Sequence, residues 1–186
     1  MNLTPSNAGW IEVICGSMFS GKTEELMRRL RRAQIANMDL AIFKPRLDTR
    51  YSSEHIVSHN QLKMPSFLVE NPEEIITRAE TADVIGIDEA QFFNESLVAV
   101  CKQLARNKKR VIVAGLDTDY RGEPFGPMPH IMCEADYLTK LRAICVKCGN
   151  PATYTQRTSS DRNRIVLGET DKYEARCRDC YQPPEE

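Results

Sequence analysis

No stretch of this chain is apolar over the roughly 18 residues that a bilayer-crossing helix needs, so no membrane role is expected of it. Net charge is nearly absent as well: 25 Lys and Arg stand against 26 Asp and Glu, which leaves −1 at neutral pH. Such a balance supplies no basic field to draw in nucleic acid or an anionic surface. The opening residues MNLTPSNAGW hold neither a basic start nor an apolar core, so no secretory signal is expected and the cytoplasm is the default location. Internal repeats and low-complexity tracts are missing too. What is there is an ordinary globular composition, 41% hydrophobic over 186 residues, enough for one α/β domain and an appendage.

Seven cysteines is an odd number, which excludes a framework made purely of disulfides. Cys15, Cys101 and Cys133 are scattered and read as small buried apolar side chains. The remaining four form two pairs, CVKC at Cys145 and Cys148 and CRDC at Cys177 and Cys180, with 28 residues between them. In a reducing compartment a metal outranks a disulfide. Each pair offers two thiolates to one ion, and four thiolates suit tetrahedral Zn²⁺ with no open position, hence a structural ion. The two clips tie residues 149–176 into a closed loop.

Strand and helix patterns alternate along the rest of the chain. WIEVIC (10–15), LAIFK (40–44), ADVIGID (82–88) and RVIVAGL (110–116) read as strands, the last two as near-continuous apolar runs of the kind buried on both faces. Helices are expected over residues 23–36, after Asn71 and Pro72 with Asn71 as the cap, and over 96–109. The region 46–66 shows no clear period and reads as a functional loop with a short strand. FGPMPH (125–130) reads as a rigid turn, and 134–143 as one more helix or strand. This alternation predicts an α/β fold, a parallel sheet covered by helices. The polar character of the last forty or so residues predicts a division into an α/β nucleotide-binding domain over 1–143 and a zinc-binding domain over 144–186.

Between the first strand and the first helix lies GSMFSGKT. Gly16, Gly21, Lys22 and Thr23 fit the pattern G-x-x-x-x-G-K-S/T in its proper context. Glycines let the backbone wrap closely, so that N–H groups of the loop, Ser17, Met18, Phe19 and Ser20 included, converge on a polyphosphate. Lys22 supplies a point charge to the β- and γ-phosphates, and the Thr23 hydroxyl can ligate Mg²⁺. A carboxylate at the end of a neighbouring strand is then needed on the metal side. Asp88 meets that need, through water, and Glu89 beside it is placed to act as general base toward water or a substrate hydroxyl. These residues by themselves reach a γ-phosphate transfer with no acceptor specified. A nucleic-acid-dependent ATPase with a zinc ribbon uses the same set, although the pI of 6.3 speaks against it; so does a zinc-bearing interaction module, although Lys22, Thr23 and Asp88 are all intact. Arg28, Arg29, Arg31 and Arg32 crowd one helix and are read as a solvated or intersubunit face in preference to a nucleic-acid patch.

Taken together, GSMFSGKT, DTRYSS, VIGIDEAQFF, GLDTDYRGEPFG and CVKC with DKYEARCRDC resemble the thymidine kinases of the zinc-containing cellular type (type II), over roughly residues 10–181. The resemblance implies a P-loop, RecA-like parallel sheet flanked by helices, plus a small zinc-binding lasso domain. It implies ATP-dependent phosphorylation of the 5′-hydroxyl of thymidine with Mg²⁺, a salvage step for DNA synthesis. Glu89 is then the base for that hydroxyl. Met18, Phe92, Leu116, Tyr120, Phe125 and Tyr173 surround the thymine ring, which backbone groups near Val166 read. Asp48 and Arg50 lie near the sugar and phosphates, and Gly168 approaches the 3′-hydroxyl. The loop 149–176 is the lasso that closes over the nucleoside. A homotetramer inhibited by dTTP, with no nucleic-acid partner, is implied as well. Two positions depart from the family. Tyr120 stands where animal members carry phenylalanine, so a ring remains; Glu169 follows Gly168 where many members have a second glycine, and glutamate seldom adopts the positive φ that glycine allows.

Overall fold

The computed structural model describes residues 8–46, 55–57, 63–159 and 172–184. In chain order the first half runs β1 (Trp10–Cys15), α1 (Lys22–Ile35), β2 (Leu40–Pro45), β3 (His55–Val57), β4 (Lys63–Pro65), β5 (Phe67–Val69), α2 (Glu73–Arg78) and β6 (Val84–Ile87). Then follow α3 (Ser96–Arg106), β7 (Arg110–Gly115), α4 (Met128–Glu134) and β8 (Tyr137–Lys140). Four short strands end the chain: β9 (Ala143–Ile144), β10 (Pro151–Ala152), β11 (Tyr154–Arg157) and β12 (Tyr173–Arg176).

Six strands form one parallel sheet in the order β5-β2-β6-β7-β1-β8. The continuous apolar strands are explained by that order, because a sheet built on crossovers carries helices on both faces. Alternate residues of each strand face opposite ways. Val13, Val111, Val113, Ile85 and Ile87 join the core beside α3 and α4, where Leu97, Val100, Leu104 and Ile131 are buried. Ile14, Ile112, Ala114, Val84 and Ile42 meet Leu26, Met27 and Leu30 of α1 on the other face. Gly86 lets α1 come close: a Cβ there would lie 2.9 Å from Leu30 Cδ1. Because all six strands run the same way, their carboxyl ends open on one edge, and β7 separates β1 from β6 on that edge.

The structure departs from the sequence reading in five places. Phe67–Val69 is a strand and pairs in parallel with β2, with Phe43 opposite Phe67; three residues are too few to show a period. Residues 128–134 form a helix where a rigid turn is expected. Pro127 occupies its N-cap and Pro129 its first turn, where the missing N–H has no partner to lose. Asn71 does not cap α2 through its side chain; Glu74 reaches back instead, and its Oε1 accepts from the amides of Glu70 (2.9 Å) and Asn71 (3.0 Å). Cys133 is exposed, unlike Cys15 and Cys101. Lastly, Arg29 is not on a solvated face.

That arginine belongs to a buried charge cluster at the foot of β1. Glu12 is 7% exposed and accepts from Arg29 Nη1 (2.7 Å), Arg110 Nε (2.6 Å) and Trp10 Nε1 (2.8 Å). Arg29 also donates to Glu25 and Thr139, so the cluster ties α1 to β1, β7 and β8. Burial raises the Glu12 carboxyl, but the hydrogen bonds from Arg110, Trp10 and Arg29 outweigh it and hold it below its ordinary 4.5. A carboxylate depressed in the folded state contributes stability that is complete above its unfolded value and lost as pH falls through its folded one. Glu12→Gln is therefore expected to lower the unfolding free energy by about 2–4 kcal/mol at neutral pH, since two arginines lose their shared anion. In urea titrations the midpoint falls at unchanged slope, and the gap to the wild type closes as pH drops below 4.5.

Candidate active site

The exposed edge of the sheet is where the expected residues gather. Gly16 follows β1 with φ +140°, and a Cβ there would meet the Leu141 carbonyl oxygen at 2.4 Å, so only glycine passes. Phe19 takes a left-handed φ of 64°, and Gly21 at φ 82° forms the N-cap of α1. The loop closes on itself around the Ser17 carbonyl, which accepts from Ser20 Oγ (2.8 Å) and Lys22 Nζ (2.7 Å). Burial pulls the Lys22 ammonium below the usual lysine range, against the opposing charges of Glu89, Asp88 and Asp117. Thr23 opens α1, and its hydroxyl lies 3.3 and 3.5 Å from the two carboxylate oxygens of Asp88.

Asp88 and Glu89 leave β6 two strands away from β1, beyond the intervening β7. Asp88 is buried, and that burial, reinforced by the neighbouring Glu89 charge, pushes its carboxyl up to about 7. Lys44, the Glu89 amide and Lys22 work the other way. Glu89 adopts φ 53°, a conformation that costs a β-carbon-bearing residue about 1–2 kcal/mol. The bend turns its side chain over a short 3₁₀ turn, Ala90–Phe92, where Gln91 Nε2 donates to Glu89 Oε2 at 2.6 Å. Gln91 Oε1 accepts from the Leu116 amide at 2.9 Å, so one buried amide side chain fixes Glu89 to the end of β7.

Phe92 and Phe125 meet edge to face with centroids 5.6 Å apart. Tyr120 sits on a turn closed by Asp119, whose Oδ1 accepts from the amides of Arg121 and Glu123. Arg157 covers the Tyr120 ring at 3.5 Å and donates from Nη2 to the Tyr173 hydroxyl at 2.8 Å; it faces Tyr173 across the β11–β12 pair. Tyr181 stacks on Tyr154 at 4.5 Å and donates its hydroxyl to the Tyr120 carbonyl. The P-loop touches this group directly: the Met18 amide donates to Thr155 Oγ1 at 3.0 Å, and Ser17 Oγ to the Ala152 carbonyl at 3.4 Å.

Cys145, Cys148, Cys177 and Cys180 bring their four sulfurs within 4.8 Å of one another. Four thiolates around one Zn²⁺ at about 2.3 Å stand about 3.8 Å apart, so the set fits a tetrahedral ion. Each pair sits on a tight turn: the Gly149 amide donates to the Cys145 carbonyl, and the Cys180 and Tyr181 amides to that of Cys177. Ala143, Ala152 and Ala175 are the apolar residues buried with Cys145 and Cys177, and Phe19 of the P-loop packs against them. All seven cysteines are free thiols.

The structure thus brings together Gly16, Ser17, Met18, Phe19, Ser20, Gly21, Lys22, Thr23, Asp88 and Glu89 around one edge, with Phe92, Leu116, Tyr120, Phe125 and Tyr173 beside them. Asp48, Arg50, Val166, Gly168 and Glu169 lie outside the described residues. Sequence reasoning gave no role to Gln91, Thr155 and Arg157, although Gln91 stands inside the quoted motif IDEAQFF. Gly126 tests the Gln91 bridge. It has φ +52°, and a Cβ there would lie 2.3 Å from the Gln91 carbonyl oxygen. Gly126→Ala is expected to cost about 2–3 kcal/mol of stability. Because the displaced segment carries Gln91, the Leu116 amide should lose its protection in hydrogen exchange well before neighbouring strand amides do.

Residues 9–181 match the family model described as thymidine kinase. The curated thymidine kinase of Rhodothermus sp. (strain ITI 518) is 59% identical over 178 residues, covering 96% of this chain and 84% of that one. Thymidine kinases of Bacteroides thetaiotaomicron and Bacteroides fragilis (strain YCH46) are each 53% identical, covering 93% and 94% of this chain and 87% of theirs.

Proposed function

The chain belongs to the thymidine kinase family, and from that premise we propose how its residues transfer the γ-phosphate of ATP to the 5′-hydroxyl of thymidine. The protein is an ATP-dependent thymidine kinase. One observation carries the assignment of roles: a P-loop with Lys22 and Thr23 faces an Asp88–Glu89 pair, and aromatic side chains line the adjoining wall.

The main-chain amides of Gly16–Thr23 receive the polyphosphate. Lys22 exchanges its bond to the Ser17 carbonyl for the β- and γ-phosphate oxygens, a swap that needs only rotation of its own stem. The Thr23 hydroxyl and Asp88, already within 3.5 Å, are the residues that would hold Mg²⁺, Asp88 through water. When bound, that ion neutralises charge developing on the phosphates. Glu89 takes the proton of the 5′-hydroxyl. Gln91 engages its Oε2, so its Oε1 is left to face the substrate, and the left-handed backbone keeps it there.

Met18, Phe92, Leu116, Tyr120, Phe125 and Tyr173 form the thymine pocket. Arg157 acts behind it, holding the Tyr120 and Tyr173 rings in register. Backbone near Val166 reads the base edge, Gly168 approaches the 3′-hydroxyl, and Asp48 with Arg50 serves the sugar and phosphates; family resemblance supports these four roles. The four cysteines hold a structural Zn²⁺ that pins both ends of the lasso. We also assign the chain a homotetrameric state, inhibition by dTTP and a cytoplasmic place. No helix among the described residues is long and apolar enough to cross a membrane.

Protein incubated with ATP, Mg²⁺ and thymidine should yield thymidine monophosphate; ATP turnover indifferent to nucleosides, or stimulated by DNA, would overturn the reading. Glu89→Gln is expected to reduce kcat by about 10²- to 10⁴-fold while MgATP still binds, because only the proton acceptor is removed. Elemental analysis of reduced protein should give one zinc per chain. Cys177→Ser should release the metal and weaken thymidine binding before it weakens ATP binding.

A further inference from the structure

Three residues of the Gly16–Thr23 loop stand at positive φ, and only two of them are glycines. The third is Phe19 at φ 64°, in the left-handed region that a side chain with a β-carbon disfavours. Its ring is half-buried, and what it meets is not the sheet. Among the described residues Phe19 is the one partly buried apolar side chain from outside the cysteine-bearing unit that packs on that unit's cluster of Ala143, Cys145, Ala152, Ala175 and Cys177. The backbone just before it is tied to the same unit. Ser17 Oγ donates to the Ala152 carbonyl at 3.4 Å, and the Met18 amide donates to Oγ1 of the buried Thr155 at 3.0 Å. The seat under the ring is made by strands that run straight into the cysteine clips. Ala143 in β9 leads to Cys145, Ala175 in β12 leads to Cys177, and the Val146 amide joins the two by donating to the Ala175 carbonyl at 3.1 Å.

We propose that Phe19 is a positioning residue for ATP: its ring, seated on the cysteine-bearing unit, holds the Gly16–Thr23 loop in the shape that receives the polyphosphate. This rests on the reading of that loop as the phosphate cradle. Main-chain amides converge on one anion only while each residue of the loop keeps its own φ and ψ. At Phe19 the backbone by itself favours leaving the left-handed region, and leaving it re-aims the peptide groups on either side. Burial of the ring opposes that relaxation, since the seat is lost when the loop moves. A loop that is formed part of the time binds ATP in proportion to the fraction formed, and ATP once bound keeps it formed. The effect of the ring therefore falls on affinity and not on turnover at saturation. The cysteine-bearing unit then serves both substrates, the nucleoside through Tyr173 and Arg157 and the nucleotide through Phe19. If only the backbone conformation mattered, glycine would serve at this position as well as phenylalanine does.

Three variants separate the ring from the backbone by calorimetric titration with MgATP and by steady-state kinetics, with thermal melting to establish that each is folded. Phe19→Leu keeps an apolar anchor at the same backbone cost and should bind MgATP within about twofold of wild type. Phe19→Ala carries that cost with no anchor and should bind about tenfold or more weakly. Phe19→Gly removes cost and anchor together and should fall between the two, about threefold or more weaker than wild type. In all three, kcat at saturating ATP and thymidine should stay within about threefold of wild type. Equal affinity of the leucine and alanine variants would overturn the proposal, and that pair decides it even where the glycine variant does not fold. Wild-type affinity in the glycine variant would overturn it as well, since the backbone alone would then suffice. So would a fall in kcat at unchanged affinity, which would give the ring to the nucleoside side. In each of these cases MgATP binding by the wild type leaves the kinase assignment standing. Absence of that binding would bring down the reading of the loop and this inference with it.

Discussion

Lys22 must remain a cation while most of its charge is out of water, and much of the active edge is arranged to make that possible. Burial alone pulls its ammonium toward the neutral form. Glu89, Asp88 and Asp117 oppose that pull, and the Ser17 carbonyl takes one of its hydrogens. The three carboxylates are all far from Lys22 in sequence. They meet because β1, β6 and β7 are parallel and end together, which sets the strand order of the sheet beneath the chemistry. The same burial raises Asp88 to about 7, so cation and anion each destabilise alone and support each other in place. A polyphosphate and a divalent ion arriving at this edge meet charges already desolvated, which lowers the reorganisation left for the reaction.

The cysteine-rich unit has little core of its own. Among the described residues, its hydrophobic cluster buries only three alanines besides the cysteines, and its sheets are two-stranded pairs too small to stand alone in water. A metal ion would supply the missing cohesion, with binding free energies of order 10–16 kcal/mol at four-thiolate sites. Docking supplies the rest. Phe19 of the P-loop packs on the alanines, and the Met18 amide and Ser17 hydroxyl bond to Thr155 and Ala152. The Gly16–Thr23 loop is thus shared property: its inner side is the one we assign to ATP, and its outer side supports the unit that carries Tyr173 and Arg157. Phe19 bears a left-handed φ at the junction, a cost that the surrounding contacts must overcome.

Long, strongly patterned elements were legible in the sequence. The strands at 10–15, 84–87 and 110–115 and the helices at 22–35 and 96–106 follow from apolar periodicity, and GSMFSGKT declares its loop because glycine and lysine at that spacing have few other uses. The cysteine pairs were equally plain. Elements whose identity is tertiary were not. Phe67–Val69 is a strand only because β2 has an open edge, and the 128–134 helix hides behind prolines that serve its first turn. Among residues at the candidate site, Glu89 and Asp88 could be placed by position, but Gln91 and Arg157 could not. Each contacts a partner 16 to 25 residues away: Gln91 reaches Leu116 and Arg157 reaches Tyr173. Arg29 misled for the same reason, since nothing in MRRLRRAQ marks which arginine turns inward to Glu12.

The supporting residues also explain why Glu89 can be precise without being rigidly packed. Its backbone is strained, and strained conformations persist only where neighbours overdetermine them. Here the overdetermination comes from three directions. The Glu89 amide donates to Asp88, Gln91 grips the carboxylate from below, and Gln91 is itself held by the Leu116 amide at the end of the adjacent strand. Gly126 lies against the Gln91 backbone with no room for a β-carbon, which ties the same turn to the segment bearing Phe125. Since Phe125 meets Phe92, and Phe92 ends the 3₁₀ turn that begins after Glu89, the aromatic wall and the proposed proton acceptor are parts of one short covalent and hydrogen-bonded circuit. A ring seated against that wall therefore registers directly on the carboxylate. On the roles proposed above, recognition of the base and placement of the hydroxyl beside Glu89 are two consequences of the same few contacts.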